Sequence, residues 1–341
     1  MTEKETSDIN QESLELIKTF LSETGATPEV GGDALDWHTE PLPEDHRSGF
    51  IALIGRPNVG KSTLLNALLG QKVSIVSKKP QTTRQRVQGI LTLPTYQAIF
   101  IDTPGIHARP HLRIGERMVE SAVSAIPEAD IILFVVDVSV APHEDDQRIA
   151  ALLAGKAPEC PVIFVLNKMD QLQLEEAEER IEAYWALLPS YADSMPTSAT
   201  RGTNVLKLRE HLVAQLPLGP RYYPHHQVTD QTDRQIAAEL IREGVLRYTH
   251  QEVPHAAAVL INEYEEHENH VIYIDATLWV ERESQKGIVI GKQGQMLKKI
   301  GAAARQQLER MLGQRVYLDL YVKVRTKWRE REQDLRELGL T

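Results

Sequence analysis

Short apolar runs alternate with helically spaced apolar residues through the first large block of the chain. The runs cover residues 50–54, 96–101, 131–136 and 162–166, and the helical patterns cover 61–69, 114–125 and 146–153. Short apolar runs are typical of buried strands, and their alternation with helices is typical of parallel sheets. The pattern predicts an α/β domain over residues 49–217, with a mostly parallel sheet flanked by helices.

A different pattern follows residue 217. Three prolines and a glycine within residues 217–224 predict a linker, to which we assign 218–229. Helical spacing then covers 230–250 and, interrupted by glycines, 286–313, and strand patterns cover 256–264, 271–281 and 315–325. We therefore predict a second, α+β domain over 230–330, followed by a C-terminal helix or tail at 331–341.

The first 48 residues differ from both predicted domains. They hold 12 acidic and 3 basic residues and one helical pattern, at 11–22, followed by glycines, prolines and more acidic residues. A stretch with so little apolar surface cannot offset the entropy lost on folding. It predicts an acidic, mostly disordered N-terminal extension, and it lacks the apolar core of a signal peptide.

Composition and charge narrow the class of protein. Of the 341 residues, 42% are hydrophobic and 25% charged, and no apolar run nears the length of a membrane span. Cys160 is the single cysteine, which excludes an internal disulfide and is typical of a reducing compartment. We expect a cytoplasmic monomer. The net charge of −10 is uneven, because residues 286–329 carry 11 basic and 2 acidic side chains, which predicts a surface for a polyanion.

A phosphate-binding motif follows the first predicted strand. The run from Gly55 to Ser62 fits G-x-x-x-x-G-K-S and leads into a helix, as this motif requires. Its glycines let backbone N–H groups approach phosphate oxygens, Lys61 adds a positive charge, and the Ser62 hydroxyl suits Mg²⁺. The residues assigned to this loop are Gly55, Arg56, Pro57, Asn58, Val59, Gly60, Lys61, Ser62 and Thr63.

A second magnesium contact is predicted at the end of the strand over residues 96–101. There Asp102 is followed by Thr103, Pro104 and Gly105. The Asp102 carboxylate suits a metal contact made through water, and Gly105 can donate its N–H to a γ-phosphate.

The run Asn167-Lys168-Met169-Asp170 follows another strand and favours guanine over adenine. The Asp170 carboxylate can accept from the ring N1–H and the exocyclic amine of guanine, whereas adenine has no donor at N1. Adenine would leave that carboxylate unpaired, which is costly. We expect Asn167 to brace the loop, Lys168 to lie over the ring, and Ser198-Ala199 to supply a backbone N–H to the guanine oxygen. This base preference argues against a P-loop enzyme that phosphorylates a metabolite.

These motifs, in this order, resemble those of the Era family of GTPases across residues 49 to about 330. The segments that carry the resemblance are 55–62, 80–84 (Pro-Gln-Thr-Thr-Arg), 102–105, 167–170 and 280–294. The resemblance implies that Thr83 reaches the Mg²⁺ of bound GTP, with Thr82 as the alternative. Ile106 stands where Ras-like switches have a water-positioning glutamine. The resemblance implies slow hydrolysis assisted by K⁺, with Asn58 as the K⁺ ligand and Lys61, Thr83 and Gly105 as the other catalytic residues.

The second domain carries its own motif. Gly291-Lys292-Gln293-Gly294 lies between an apolar segment and an amphipathic helix, and the predicted order α-β-β-α-α-β is that of a type II KH domain. Such a G-x-x-G loop lets a nucleic-acid backbone approach between two helices, so single-stranded RNA is the predicted ligand. The candidate RNA-binding residues are Gly287, Ile288, Ile290, Gly291, Lys292, Gln293, Gly294, Lys298, Lys299, Lys323 and Arg325.

Two functions remain open from the sequence. By resemblance, the RNA is the 3′ end of small-subunit (16S) ribosomal RNA, and the protein acts in assembly of the small ribosomal subunit. The alternative is a regulatory GTPase in cell-cycle or division control, attached peripherally to the inner face of the cell membrane, with RNA binding secondary.

Overall fold

The computed structural model describes residues 41–77, 79–107, 112–157, 159–267 and 270–340. The predicted helix at 11–22, and all of the predicted extension up to residue 40, lie outside the described residues. No helix of the part described is long and apolar enough to cross a membrane.

The first domain is a six-stranded sheet flanked by helices. Its strand order is β2-β3-β1-β4-β5-β6, with β2 antiparallel to β3 and all other neighbouring strands parallel. Strands β3, β4 and β5 are buried along their whole length, as expected of a sheet covered on both faces. The elements are β1 (Arg47–Ile54), α1 (Lys61–Leu69), β2 (Val87–Leu93), β3 (Tyr96–Asp102), α2 (Arg113–Ser124), β4 (Ile131–Asp137), α3 (Glu144–Lys156), β5 (Val162–Asn167), α4 (Ala177–Trp185), β6 (Asp193–Pro196) and α5 (Val205–Gln215).

The second domain is a three-stranded sheet with helices on one face. Its strand order is β7-β8-β9, with β7 antiparallel and β9 parallel to β8. Helices α6 and α9 pack on this sheet through a core that includes Ile241, Leu278 and Ile300. The elements are α6 (Asp233–Tyr248), α7 (Val253–Ala256), β7 (Ala258–Glu266), β8 (Val271–Val280), α8 (Glu283–Ile290), α9 (Gln295–Leu312), β9 (Arg315–Val324) and α10 (Glu332–Glu337).

The structure differs from the sequence prediction at the start of the first domain. Strand β1 begins at Arg47, so the last two residues of the predicted extension belong to the sheet. The predicted linker runs along the edge strand β2. There the Thr229 hydroxyl donates to the Gln88 carbonyl at 2.8 Å, and the Ile90 N–H donates to the Val228 carbonyl at 2.9 Å. The linker thus covers an edge that would otherwise expose unpaired backbone groups.

Candidate nucleotide site and nucleic-acid interface

The phosphate loop joins the buried end of β1 to the first turn of α1. Gly60 has a φ of 103°, and a Cβ there would meet the Asn167 amide nitrogen at 2.4 Å, so the position requires glycine. Buried Lys61 donates through Nζ to the carbonyls of Gly55 at 2.8 Å and Arg56 at 3.0 Å, which holds its ammonium across the loop. Burial, partly opposed by the charge of Asp102, lowers the pKa of Lys61 to about 8.

Three side chains converge beside this loop as a magnesium site would need. Ser62 Oγ lies 2.6 Å from Asp102 Oδ2 and 2.9 Å from Thr83 Oγ1, and Thr83 Oγ1 lies 3.4 Å from the same carboxylate oxygen. The other Asp102 oxygen is buried with no hydrogen-bond partner, and burial raises the pKa of this carboxyl. Two hydroxyls beside a buried carboxylate are oxygen ligands of the kind that Mg²⁺ prefers, so the residues fit Mg²⁺. The Thr82 hydroxyl is engaged instead with the Lys79 carbonyl, to which it donates at 2.7 Å.

The segment after Asp102 packs against the phosphate loop. Thr103 donates its hydroxyl to the Leu53 carbonyl at 2.7 Å, and a Cβ on Gly105 would meet the Pro57 nitrogen at 2.5 Å. Gly105 therefore brings its backbone closer to the loop than any other residue could. Ile106 is 7% exposed and belongs to the core of the domain, so its side chain cannot hold a water in the way of a glutamine.

The residues predicted for guanine also come together. Asn167 Nδ2 donates to the Val59 carbonyl at 2.7 Å, and its Oδ1 accepts from the Ala199 N–H at 3.1 Å, so this side chain ties the base loop to the phosphate loop. Asp170 Oδ1 accepts from Ser198 Oγ at 2.6 Å. Lys168 Nζ donates to Asp137 Oδ2 at 2.6 Å, which positions the lysine stem at the edge of the site.

Three supporting residues were missed by the sequence argument. Asp137 holds Lys168, Ser74 donates to Asp102 Oδ2 at 3.0 Å, and buried Asp146 accepts from Arg56 Nε at 3.0 Å. Because the Arg56 guanidinium is paired with Asp146, we expect Arg56 to serve the loop through its backbone. Of these three, only Asp137 had a signal in the sequence, because it ends the apolar strand β4.

The segment that carries Thr83 is held on both sides. Arg84 is buried against the second domain, donating to the carbonyls of Ala257 at 2.8 Å and His255 at 3.0 Å, with its guanidinium 5.5 Å from the Trp328 ring centroid. Burial, followed by the charge of Arg242, lowers the pKa of Arg84 to about 9. Arg242 donates to the Thr82 carbonyl. The backbone on either side of Thr83 is therefore fixed to the second domain.

A cavity of about 1020 Å³ lies between the phosphate loop, the Thr83 segment and helices α6 and α9. The first domain contributes Lys61 and Lys168 to its walls, and the second contributes Glu243, Arg247 and Gln307. A cavity of this size can hold a nucleoside triphosphate.

The G-x-x-G loop connects α8 to α9, as predicted. Gly291 (φ 70°) and Gly294 (φ 75°) lie in the left-handed region, and a Cβ on Gly291 would meet the Met296 Cβ at 2.7 Å. Ile288 is 48% exposed beside the loop although its neighbour Val289 is fully buried. An exposed aliphatic side chain next to a glycine loop and exposed Lys292 suits a nucleic-acid backbone with unstacked bases. Lys299 lies over the Tyr248 ring, 4.4 Å from its centroid.

Two predicted RNA-binding residues lie away from this loop. Lys323 is at an outward position of β9, on the face of the sheet opposite the helices, and Arg325 donates to Asp334 at 2.6 Å and packs on the Trp279 ring. The prediction summed basic charge without considering the alternation of side chains along a strand. Contact of Lys323 and Arg325 with RNA stays a prediction that these positions do not support.

Comparisons with known proteins identify both domains. A family model described as a 50S ribosome-binding GTPase matches residues 50–168, and a KH domain model matches residues 252–329. The GTPase Era of Heliobacterium modesticaldum is 48% identical over 87% of this chain and 98% of its own length. That of Geobacter metallireducens is 50% identical over 86% of this chain and 98% of its own length.

Two solved structures match both domains. A variant of Era from Aquifex aeolicus bound to GDP and AlF₄⁻ has a TM-score of 0.82 and 40% identity, covering 86% of this chain and 99% of its own. Era in complex with MgGDPNP and nucleotides 1506–1542 of 16S ribosomal RNA has a TM-score of 0.81 and 40% identity. This match covers 87% of this chain and 99% of the solved chain.

The fold and the two sites define a P-loop GTP-binding protein whose nucleotide domain is joined to a KH domain. With this identity over most of its length, the chain belongs to the Era family of GTPases, and its enzymatic activity is the hydrolysis of GTP to GDP and phosphate.

Proposed function

We propose that this chain, loaded with GTP and Mg²⁺, binds the 3′ end of 16S ribosomal RNA through its KH domain and acts in assembly of the small ribosomal subunit. The observation that carries the proposal is that one short segment, around Thr83, touches both the magnesium corner and the KH domain. The solved complex of a relative with MgGDPNP and 16S RNA supports the choice of ligands. With ribosomal RNA as the target, we propose that the protein acts in the cytoplasm.

Each side chain of the nucleotide site has a task in this proposal. Asp170 and Asn167 select guanine, Lys61 and the loop N–H groups hold the phosphates, and Ser62, Thr83 and Asp102 hold the metal ion, directly or through water. Mg²⁺ held by these residues would neutralise charge on the phosphates. Because Ile106 cannot position the attacking water, we propose slow hydrolysis that K⁺ at Asn58 accelerates.

The Thr83 segment would connect nucleotide state to RNA binding. A γ-phosphate and its metal ion favour the conformation in which Thr83 lies at Asp102. In that conformation Arg84 and Lys72 reach the KH domain, where Lys72 Nζ lies 2.6 Å from Glu243 on α6. Hydrolysis removes the phosphate that favours this arrangement, so RNA affinity should fall.

The test is binding of full-length protein to a single-stranded oligonucleotide from the 3′ end of 16S RNA, with a non-hydrolysable GTP analogue or GDP. We expect tighter binding with the analogue, and loss of binding in Gly291→Asp/Gly294→Asp because carboxylates would repel the backbone. Gly155→Asp is the matched control, because Gly155 is exposed on α3 with open space at its Cβ. Equal affinity with both nucleotides would contradict the coupling, and equal binding of a scrambled RNA would contradict the ribosomal target.

A further inference from the structure

The KH sheet has one face covered by helices and one face that is largely open. Even-numbered residues of β8, from Ile272 to Val280, face the helices, and odd-numbered residues face away. At one end the open face is covered, because Trp279 packs against Trp328 and Leu335 of the C-terminal segment. The remaining rows of side chains have no covering element among the described residues.

Tyrosines form much of this open face. Tyr273 and Tyr317 are cross-strand partners, and their rings stack with centroids 5.6 Å apart and planes inclined by 14°. Tyr317 is 56% exposed and Tyr321, two residues further along β9, is 55% exposed. Stacking stabilises the pair, but it leaves a large aromatic surface in water, and aromatic side chains are enriched where proteins bind partners.

A row of carboxylates crosses the sheet between these tyrosines. Glu263, Asp275 and Asp319 are neighbours on three adjacent strands, directly paired in the register. Asn262 donates to Asp275, and no basic side chain lies within the row. Like charges directly opposite each other destabilise a sheet, so this arrangement is held at a cost in stability.

The electrostatic field of this row reaches the flanking rings. Asp319 and, to a lesser degree, burial and Asp275 raise the pKa of Tyr321, while burial, then Asp319 and Asp275, raise that of Tyr273. The basic residues of β9 on this face, Arg315 and Lys323, lie toward its two ends. The centre therefore presents carboxylates between aromatic rings, which suits a guanidinium that stacks on a ring and pairs with a carboxylate.

We propose that the open face of the KH sheet is a docking surface for an arginine-rich segment of a partner protein. Its negative charge excludes RNA, which the proposed groove binds at the opposite, helical side of the domain. The inference does not depend on the identity of that RNA.

The test is binding of a fluorescein-labelled peptide of alternating arginine and serine to the full chain at physiological salt. We expect binding to weaken at least about tenfold in Asp275→Asn/Asp319→Asn and in Tyr317→Ala/Tyr321→Ala. The control is Glu178→Gln/Glu179→Gln, which removes the same charge from an exposed stretch of α4. Removing the repulsion should leave the free energy of unfolding of the Asp double variant unchanged or higher, which separates lost docking from misfolding.

Three outcomes would overturn the proposal. These are no measurable binding of the peptide, an equal loss in the α4 control, and unchanged binding in the tyrosine variant. The second would reduce the effect to bulk charge.

Discussion

Lys61 is a buried side chain whose charge depends on pH in the range where GTP binds. Its ammonium is out of water, held by two backbone carbonyls, and its pKa is lowered to about 8. Phosphate binding favours the charged form of Lys61. At a pH above the pKa of about 8, the binding of GTP is therefore accompanied by uptake of a proton on Lys61. We expect GTP affinity to fall from pH 7 to 8.5, as titration calorimetry can measure. Guanosine, which lacks phosphates, should bind with the same affinity across this range, and a parallel fall would contradict the assignment to Lys61.

The same shift has the opposite effect on the stability of the nucleotide-free protein. The pKa of Lys61 is about 8 in the folded chain and 10.5 in the unfolded chain. At a pH between these two values, the unfolded chain holds a proton on Lys61 that the folded chain lacks. The contribution of Lys61 to the free energy of unfolding therefore rises with pH through this window.

Asn58 is the residue on which the potassium hypothesis rests. It lies in the phosphate loop with a φ of 65°, a conformation that asparagine tolerates better than most residues. We expect GTP turnover to be faster in K⁺ than in Na⁺ buffer. Asn58→Gly, which adopts this φ without strain, should abolish the difference while GTP affinity changes little. Single-turnover hydrolysis in both buffers measures it, and a K⁺ effect retained in the variant would assign the ion elsewhere.

At the scale of elements, the Thr83 segment is the connection between the two domains. Arg84→Lys keeps the charge but loses the planar group that donates to two carbonyls and packs on Trp328. We expect the ratio of RNA affinities with GTP analogue and GDP to shrink several-fold while GTP turnover stays near wild type.

Arg86→Lys is the control for this substitution, because exposed Arg86 pairs only with exposed Glu128 among the described residues. If Arg84→Lys and Arg86→Lys both keep the wild-type ratio of RNA affinities, the segment does not carry the coupling.

The sequence predicted those elements whose signals are local. Buried parallel strands are continuous apolar runs, and the phosphate loop and the G-x-x-G loop need glycine at fixed places, so these were found to within a few residues. Strand β2 was missed because it is an edge strand whose burial is only partial at its far end, Thr92 and Leu93. The hydrogen bonds of the linker to β2 were not predictable, because they join residues more than 100 positions apart. Sequence spacing carries no such information.

At the scale of the whole molecule, the two domains share a small apolar core. Ile114 and Met118 of α2 pack with Trp279, Trp328 and Leu335 of the KH side. We expect the two domains to unfold together in urea, with coincident transitions by circular dichroism and tryptophan fluorescence. Fully buried Leu335→Ala should lower the free energy of unfolding by about 2–5 kcal/mol and separate the two transitions.

Leu206→Ala, at a site 54% exposed on α5, should change neither the free energy of unfolding nor the coincidence of the transitions. Two separate transitions in the unaltered protein would show that the shared core does not couple the domains.

The contacts between Gly339 and Gln85 have a consequence for the order in which the protein is made. Gln85, two residues after Thr83, donates to the Gly339 carbonyl near the end of the chain. During translation the first domain can fold and take up nucleotide while the KH domain is still being synthesised. The contact between Gln85 and Gly339 forms only after the KH domain has been synthesised. A nascent chain can therefore bind nucleotide before its Thr83 segment is joined to the KH domain.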